Sequence, residues 1–247
     1  MRFVHALHAG ALSADVAGQL GARLGGLIGV DLPVAPGFVI GTSAWRLARV
    51  TGADRDLPAT VAEEMRRALG DLDSRLVTVR AARAAPGADA GSPALDLPRA
   101  TAAEELEAIL RSAIHHAAVP TAVIVQARVD AEGKPPSGNG RAFTRDPLHG
   151  TVWPTGVFRS GGSAMSLDGL SRRAPALGVQ LRAALARVEA LQRGVSEVTF
   201  TIETGRLWID DARPVRHSRV AAERIAQSGL GEPVQRLKPA PATGPGS

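Results

Sequence analysis

The chain has 247 residues, of which 45% are hydrophobic and 21% charged, so it is long enough for one large globular domain or two small ones. It contains no cysteine, which excludes disulfide bonds and thiolate metal sites. No segment approaches the roughly 20 apolar residues that a membrane-spanning helix needs. The N-terminal residues also lack the sustained apolar stretch of a signal peptide. We therefore expect a soluble, cytoplasmic protein.

The basic charge of the chain comes almost entirely from arginine. The formal net charge is +5, and only two of the 29 basic residues are lysines, which leaves 27 arginines. These arginines are scattered, and aromatic residues make up only 3% of the chain. Nucleic-acid-binding proteins cluster their cations and add aromatic residues that stack on bases. The sequence therefore does not favour a nucleic-acid partner. A small ligand that carries phosphate would suit an arginine-rich surface as well as nucleic acid does.

In the first part of the chain, apolar residues at helical spacing alternate with short strand patterns. The segment 84–100, rich in Ala, Gly, Pro and Asp, predicts a mobile loop and the boundary between two lobes. The elements predicted before it are a helix at 12–27, a strand at 38–40, a helix capped by Thr42 or Ser43, a helix at 59–73 and a strand at 76–82.

The second part also mixes helices and strands, but the segment 150–166 shows no clear period. Together the elements predict an α+β fold with antiparallel hairpins, divided into lobes at 1–100 and 101–231, followed by a disordered tail at 232–247 that is rich in proline and glycine. The elements predicted here are a helix at 101–117, a strand at 122–129, a turn at 133–140, a helix at 174–193, a hairpin at 198–210 around Thr204 and Gly205, and a helix at 218–228.

Five segments carry a resemblance to a known family: LPVAPGFVI (32–40), LVTVRAARAAPG (76–87), AVIVQARV with SGNGRAFTRDPLHG (122–150), VTFTIETGRLWIDDAR (198–213) and VAAERIA (220–226). In this order and spacing they resemble the nucleotide-binding region of pyruvate phosphate dikinase and phosphoenolpyruvate synthase. The resemblance implies a two-lobed, ATP-grasp-like fold that clamps ATP and magnesium. In that family the unit phosphorylates a histidine on a swivelling domain. Because the motif of that domain is not found in this sequence, the resemblance implies a separate partner protein that carries the histidine.

Two arginines match family arginines that contact the phosphates of ATP. Arg80 ends the segment LVTVR, and Arg213 ends the segment WIDDAR. A guanidinium group binds phosphate oxygens in a bidentate way, so the resemblance implies nucleotide binding by both residues and a catalytic role for Arg213. The alternatives are an arginine that only reaches solvent at position 80, and at position 213 an ion pair with Asp210 or Glu203.

Other positions depart from the family pattern. The lysine that the family places on the nucleotide is replaced by Leu20, and Arg23, one helical turn away, is a candidate substitute. A metal-binding glutamate of the family is replaced by Thr199, and a glutamine by Asp211. Glu197 lies two residues before Thr199 and on a strand shares its face, so Asp211 and Glu197 are the candidate magnesium ligands.

These departures leave two functions open. The first is an ATP- or AMP-binding phosphotransferase that phosphorylates a histidine on a separate partner. The second is a pseudoenzyme that keeps the fold and acts as a binding or regulatory partner. Two glycine-rich segments, SGNG (137–140) and RSGGS (159–163), supply backbone N–H groups that either lie on phosphates or only form turns.

Overall fold

The computed structural model describes residues 2–8, 10, 12–51, 57–84, 94–98, 102–116 and 119–228. In this part of the chain ten strands form two five-stranded sheets, and every pairing between neighbouring strands is antiparallel. Helices cover both sheets. The predicted α+β class with antiparallel hairpins is thus confirmed. None of the described helices is long and apolar enough to cross a membrane.

The first sheet has the order β1-β2-β5-β3-β4 and is packed on both faces. Its central strand alternates between the two cores, because Val123 and Val125 pack with one group of helices and Ile124 packs on the opposite side. The elements of this part are β1 Val4–Ala6, α1 Ala14–Gly29, β2 Gly37–Ile40, α2 Thr42–Thr51, α3 Ala59–Asp71, β3 Leu76–Arg83, β4 Ala94–Pro98, α4 Ala102–His116 and β5 Thr121–Ala127.

The second sheet has the order β10-β9-β6-β7-β8 and buries one face. Phe158 and Phe200 stack at the centre of that face with their rings 6.2 Å apart. Its elements are β6 Gly138–Phe143, β7 Thr155–Ser160, β8 Ser163–Ser166, α5 Leu167–Arg173, α6 Pro175–Gln192, β9 Ser196–Glu203, β10 Arg206–Pro214 and α7 Arg219–Gln227.

Helix α1 joins the two sheets into one core. Its buried Leu24 belongs to a cluster that includes Ile124 of the first sheet and Ile209 of the second. The helix comes close to β3 at Gly18, where a Cβ atom would lie 2.4 Å from the carbonyl oxygen of Ala82. Because α1 lies between the sheets, its side chains reach both of them.

The structure corrects two predictions about loops. Residues 94–98, assigned to a mobile loop, form strand β4, which pairs with β3. The segment 150–166 contains the β7–β8 hairpin. Strand β8 reads Ser-Ala-Met-Ser and is mostly exposed, so it has no alternation of apolar and polar residues by which it could be recognised.

The boundary of the predicted lobes does not coincide with the change of sheet. Helix α4 and strand β5, assigned to the second lobe, belong to the first sheet, and the chain passes to the second sheet between Ala127 and Gly138. The predicted tail at 232–247 lies outside the described residues.

Candidate functional site

A polar groove lies between the two sheets and consists of two adjoining cavities. The larger has a volume of about 530 Å³ and is lined from the first sheet by Arg80 and Gln126. The smaller has a volume of about 410 Å³. Asn139, Arg159 and Asp210, all from the second sheet, line both cavities. We refer to the two cavities together as the groove, and its size is that of a small-molecule site.

The alternation of strand β9 decides which side chains lie on the groove side of the second sheet. Phe200 is fully buried in the core, whereas Thr199 and Thr201, on the opposite face, line the groove. Glu197 lies on the same face as these threonines. In the neighbouring strand, Arg141 pairs with Thr199 and also lines the smaller cavity.

A β-bulge in strand β10 brings an aspartate into the groove. The register shifts between Ile209 and Asp211, and the residue between them, Asp210, lines both cavities. Its Oδ2 accepts a hydrogen bond from the Thr201 hydroxyl at 2.8 Å. Loss of solvent raises the pKa of the Asp210 carboxyl, and the Thr201 hydrogen bond and the charge of Arg80 oppose that shift.

Arg80 reaches the groove from the first sheet. One of its terminal nitrogens donates to the backbone carbonyl oxygen of Asp210 at 3.0 Å, and the other donates to the side-chain oxygen of Gln126. Its Nε is buried without a hydrogen-bond partner in the described part of the chain. Burial lowers the pKa of the guanidinium, although Asp210 and Asp211 oppose the shift, and arginine stays protonated in proteins. Arg80 lies within strand β3, which continues to Arg83, one residue beyond the predicted strand at 76–82.

Beside the groove, three arginines share two carboxylates. Arg213 donates to Glu197 at 3.1 Å and lies 3.8 Å from Asp211. Asp211 also accepts two hydrogen bonds from Arg23, at 2.8 and 3.0 Å. Glu197 also forms an ion pair with Arg141 at 2.8 Å. We call these five residues the arginine–carboxylate cluster.

The two arginines expected to bind phosphate therefore meet at the same short segment of β10. Arg80 binds the backbone of Asp210, and Arg213 lies beside the side chain of Asp211. Arg80 lines the larger cavity, whereas Arg213 and its carboxylate partners line neither cavity. The ion-pair partners of Arg213 are Glu197 and Asp211, and not the predicted alternatives Asp210 and Glu203.

The two candidate magnesium ligands do not fit a metal ion in this arrangement. Both carboxylate oxygens of Asp211 accept hydrogen bonds from Arg23, and each oxygen of Glu197 faces a different arginine. Guanidinium charges at hydrogen-bonding distance repel a divalent cation. Within the described ranges, no group of three or more His, Asp or Glu residues is placed to hold a metal ion.

The positions that depart from the family pattern have different surroundings. Leu20 is 5% exposed and packs in the core, so the position of the family lysine does not face the groove. Arg23, the candidate substitute, is held by Asp211. Thr199 does line the smaller cavity and puts a hydroxyl group where the resemblance implies a carboxylate.

Several side chains that line the groove were not predicted, and two of them are Arg159, whose segment 159–163 was named only for its backbone N–H groups, and Gln126. Arg159 is exposed on strand β7 and forms no ion pair with a carboxylate in the described part of the chain. Gln126 is buried within an otherwise apolar strand, and such an interruption of an apolar run is a usable signal because a buried amide needs polar partners. Its side-chain nitrogen donates to the carbonyl oxygen of Ala35 at 2.9 Å, and its oxygen accepts from Arg80.

Both glycine-rich segments lie at the larger cavity. Gly138 and Asn139 of the first segment line it, as do Ser160, Gly161 and Gly162 of the second. Gly161 and Gly162 form the turn between β7 and β8 with φ of 54° and 80°, a region that favours glycine. The turn after Arg159 therefore borders the same space as the arginine itself.

Comparisons with known proteins find similarity only among solved structures. No family model matches the chain, and no curated protein matches it. The structure is similar to that of D-cycloserine synthetase DcsG, with 14% identity and a TM-score of 0.46 over 83% of this chain and 67% of that one. It is also similar to D-alanine–D-alanine ligase from Bacillus anthracis, with 12% identity and a TM-score of 0.39 over 76% of this chain and 66% of that one. The resemblance to the pyruvate phosphate dikinase family is carried by the sequence segments alone.

Proposed function

We propose that the protein binds a nucleotide, ATP or AMP, in the groove, with its phosphates against arginines from both sheets in an ATP-grasp-like manner. One observation carries the proposal: Arg80 from the first sheet and Arg159 from the second line the same cavity. A ligand in this cavity would contact both sheets at once. The match of Arg80 to a phosphate-binding arginine of the resembling family agrees with this placement.

The chemistry of the groove suits a phosphate chain. Arg80 and Arg159 offer guanidinium groups, which bind phosphate oxygens with charge-assisted hydrogen bonds of fixed geometry. The buried Nε of Arg80 has no partner in the described structure, so one donor remains to be satisfied. The turn at Gly161 and Gly162 has no side chains, which leaves room for close approach of a ligand to the backbone.

Of the two functions that the sequence leaves open, we propose nucleotide binding without phosphoryl transfer. Transfer to a histidine on a partner protein needs cations that stabilise the transferred group, and such sites use a lysine and magnesium. Here Leu20 is buried in the core, and Glu197 and Asp211 are bound by arginines. The protein would then act as a regulatory or binding partner, and its action would depend on whether a nucleotide is bound.

Titration calorimetry with ATP tests this proposal. We expect one binding site in the wild-type protein and affinity about 30- to 150-fold weaker in Arg80→Ala, since a hydrogen bond to a charged group contributes about 2–3 kcal/mol. Arg159→Ala should also weaken binding. The matched control is Arg219→Ala on helix α7, whose side chain is 92% exposed and pairs only with Glu223 within the described contacts. Equal affinity in all four proteins would contradict the proposal, and ADP production with magnesium would contradict the loss of phosphoryl transfer.

A further inference from the structure

The arginine–carboxylate cluster bears on which form of the nucleotide the groove accepts. We propose that the site binds the metal-free nucleotide anion, and that Glu197 and Asp211 are counter-ions of the arginines and not magnesium ligands. This inference rests on the proposed nucleotide binding and adds the chemical form of the ligand. It begins from the disagreement between the magnesium site that the sequence resemblance implies and the contacts of these two carboxylates.

The cluster and the groove carry more positive than negative charge. Arg23, Arg141 and Arg213 surround two carboxylates, so the cluster has one cation in excess. Arg80, Arg128 and Arg159 add three further cations at the larger cavity of the adjoining groove, which also contains the carboxylates of Glu132 and Asp210, so this cavity too has one cation in excess. Chelation by magnesium cancels two negative charges of a nucleotide and brings a divalent cation towards these guanidinium groups. The free anion is therefore the form with the stronger electrostatic attraction.

The three arginines of the cluster differ in how firmly they are held. Arg23 holds Asp211 with two hydrogen bonds, and both side chains are less than one fifth exposed. Arg141 and Arg213 each have one contact with Glu197, and their side chains are 59% and 31% exposed. The contacts with Glu197 are the ones that an arriving phosphate chain can replace. Asp211 with Arg23 remains as the fixed tie between helix α1 and strand β10.

Asp210 is the carboxylate that lines both cavities of the groove, whereas Glu132 lines only the larger one. The Oδ2 atom of Asp210 accepts a hydrogen bond from the Thr201 hydroxyl. The backbone carbonyl oxygen of Asp210 accepts a hydrogen bond from Arg80. A magnesium ion held by this carboxylate would lie beside the Arg80 guanidinium. The positive charge of Arg80 thus opposes the binding of a divalent cation at Asp210, just as the arginines of the cluster oppose it there.

The test compares ATP binding to the wild-type protein in EDTA with binding in saturating magnesium chloride, by calorimetry. We expect at least tenfold tighter binding in EDTA. Tighter binding in magnesium would overturn this inference and leave nucleotide binding in place. Absence of ATP binding under both conditions would overturn the proposed function together with the inference.

A variant separates the two roles of Glu197. If Glu197 is a counter-ion, Glu197→Gln releases Arg141 and Arg213 for the phosphates, and ATP in EDTA should bind about threefold to tenfold tighter. If Glu197 is instead a magnesium ligand, Glu197→Gln should weaken ATP binding, and only when magnesium is present. Glu63→Gln is the matched control, since Glu63 is 74% exposed on helix α3 and pairs with Arg67. The comparison of EDTA with magnesium in the wild-type protein decides the inference even if Glu197→Gln fails to fold.

Discussion

Two groups of arginines and carboxylates lie at the second sheet and the helices packed on it, and they differ in their balance of charge. Arg145, in the segment FTRDP, forms a one-to-one pair with Glu189 of helix α6, and the side chains are 3% and 13% exposed. In the arginine–carboxylate cluster, three arginines share two carboxylates beside an open groove. A balanced buried pair carries no net charge, although Nη1 of Arg145 is buried without a hydrogen-bond partner in the described part of the chain, whereas an excess of cations at a groove attracts an anion. The balance of charge, and not the presence of arginine, distinguishes the candidate site.

The buried pair gives the largest expected effect. Glu189→Leu leaves the Arg145 charge buried without a partner, and we expect a loss of about 3–5 kcal/mol in the free energy of unfolding. Urea denaturation measures this loss. The double variant Arg145→Met/Glu189→Leu should recover most of it because no charge remains buried. A loss below about 1 kcal/mol in the single variant would show that the pair is not the stabilising contact inferred here.

The cluster should respond in the opposite way. Arg141 is 59% exposed, so Arg141→Ala should change the free energy of unfolding by less than about 1 kcal/mol. ATP affinity should fall about tenfold, which corresponds to about 1.4 kcal/mol. Calorimetry and urea denaturation on the same preparation measure the two quantities. Arg172→Ala on helix α5 provides the control, and a variant that loses stability without losing affinity would place Arg141 with the buried pair.

The carboxylate of Glu64 is held mainly by backbone groups, and its substitution has the smallest expected effect. Glu64 Oε2 accepts the backbone N–H groups of Phe3 and Val4, each at 2.9 Å. Partial burial, which alone would raise the pKa of Glu64, is outweighed by these bonds and by Arg2, so that the pKa is lowered. A lowered pKa stabilises the folded state above the unfolded value of about 4.3, and the contribution is lost as the pH falls through the folded pKa.

Glu64→Gln should therefore lower the free energy of unfolding by about 1 kcal/mol at pH 7, a value kept small because the carboxylate is only partly buried. The difference from the wild-type protein should shrink as the pH falls below about 4. Urea denaturation at several pH values measures it. A difference that is independent of pH would mean that the carboxylate charge plays no part in holding strand β1.

The longer helices and the β9–β10 hairpin were predictable because their patterns are local, whereas the short helix α5 was not predicted. The hairpin turns at Thr204 and Gly205, as the alternation on either side of these residues predicts, and both have positive φ. The predicted face of Glu197 and Thr199 follows from simple alternation along β9. The α+β class follows from the same local patterns.

The partners of the site residues were not predictable because they depend on features that the sequence does not mark. The bulge at Asp210 changes which face of β10 Asp210 and Asp211 occupy. No residue type in this segment predicts such a bulge. The contact of Arg23 with Asp211 joins positions 188 residues apart, through the placement of helix α1 between the sheets. The assignment of Asp211 to magnesium treated it as a free carboxylate, which its contacts with arginine show it is not.

A crystal structure of the protein with a non-hydrolysable ATP analogue in the presence of EDTA tests the central claim most directly. We expect the phosphate chain in the groove, with oxygens at hydrogen-bonding distance from the guanidinium groups of Arg80 and Arg159. A nucleotide bound elsewhere, such as in the cavity of about 590 Å³ that Glu64 and Phe38 line beside helix α3, would contradict it.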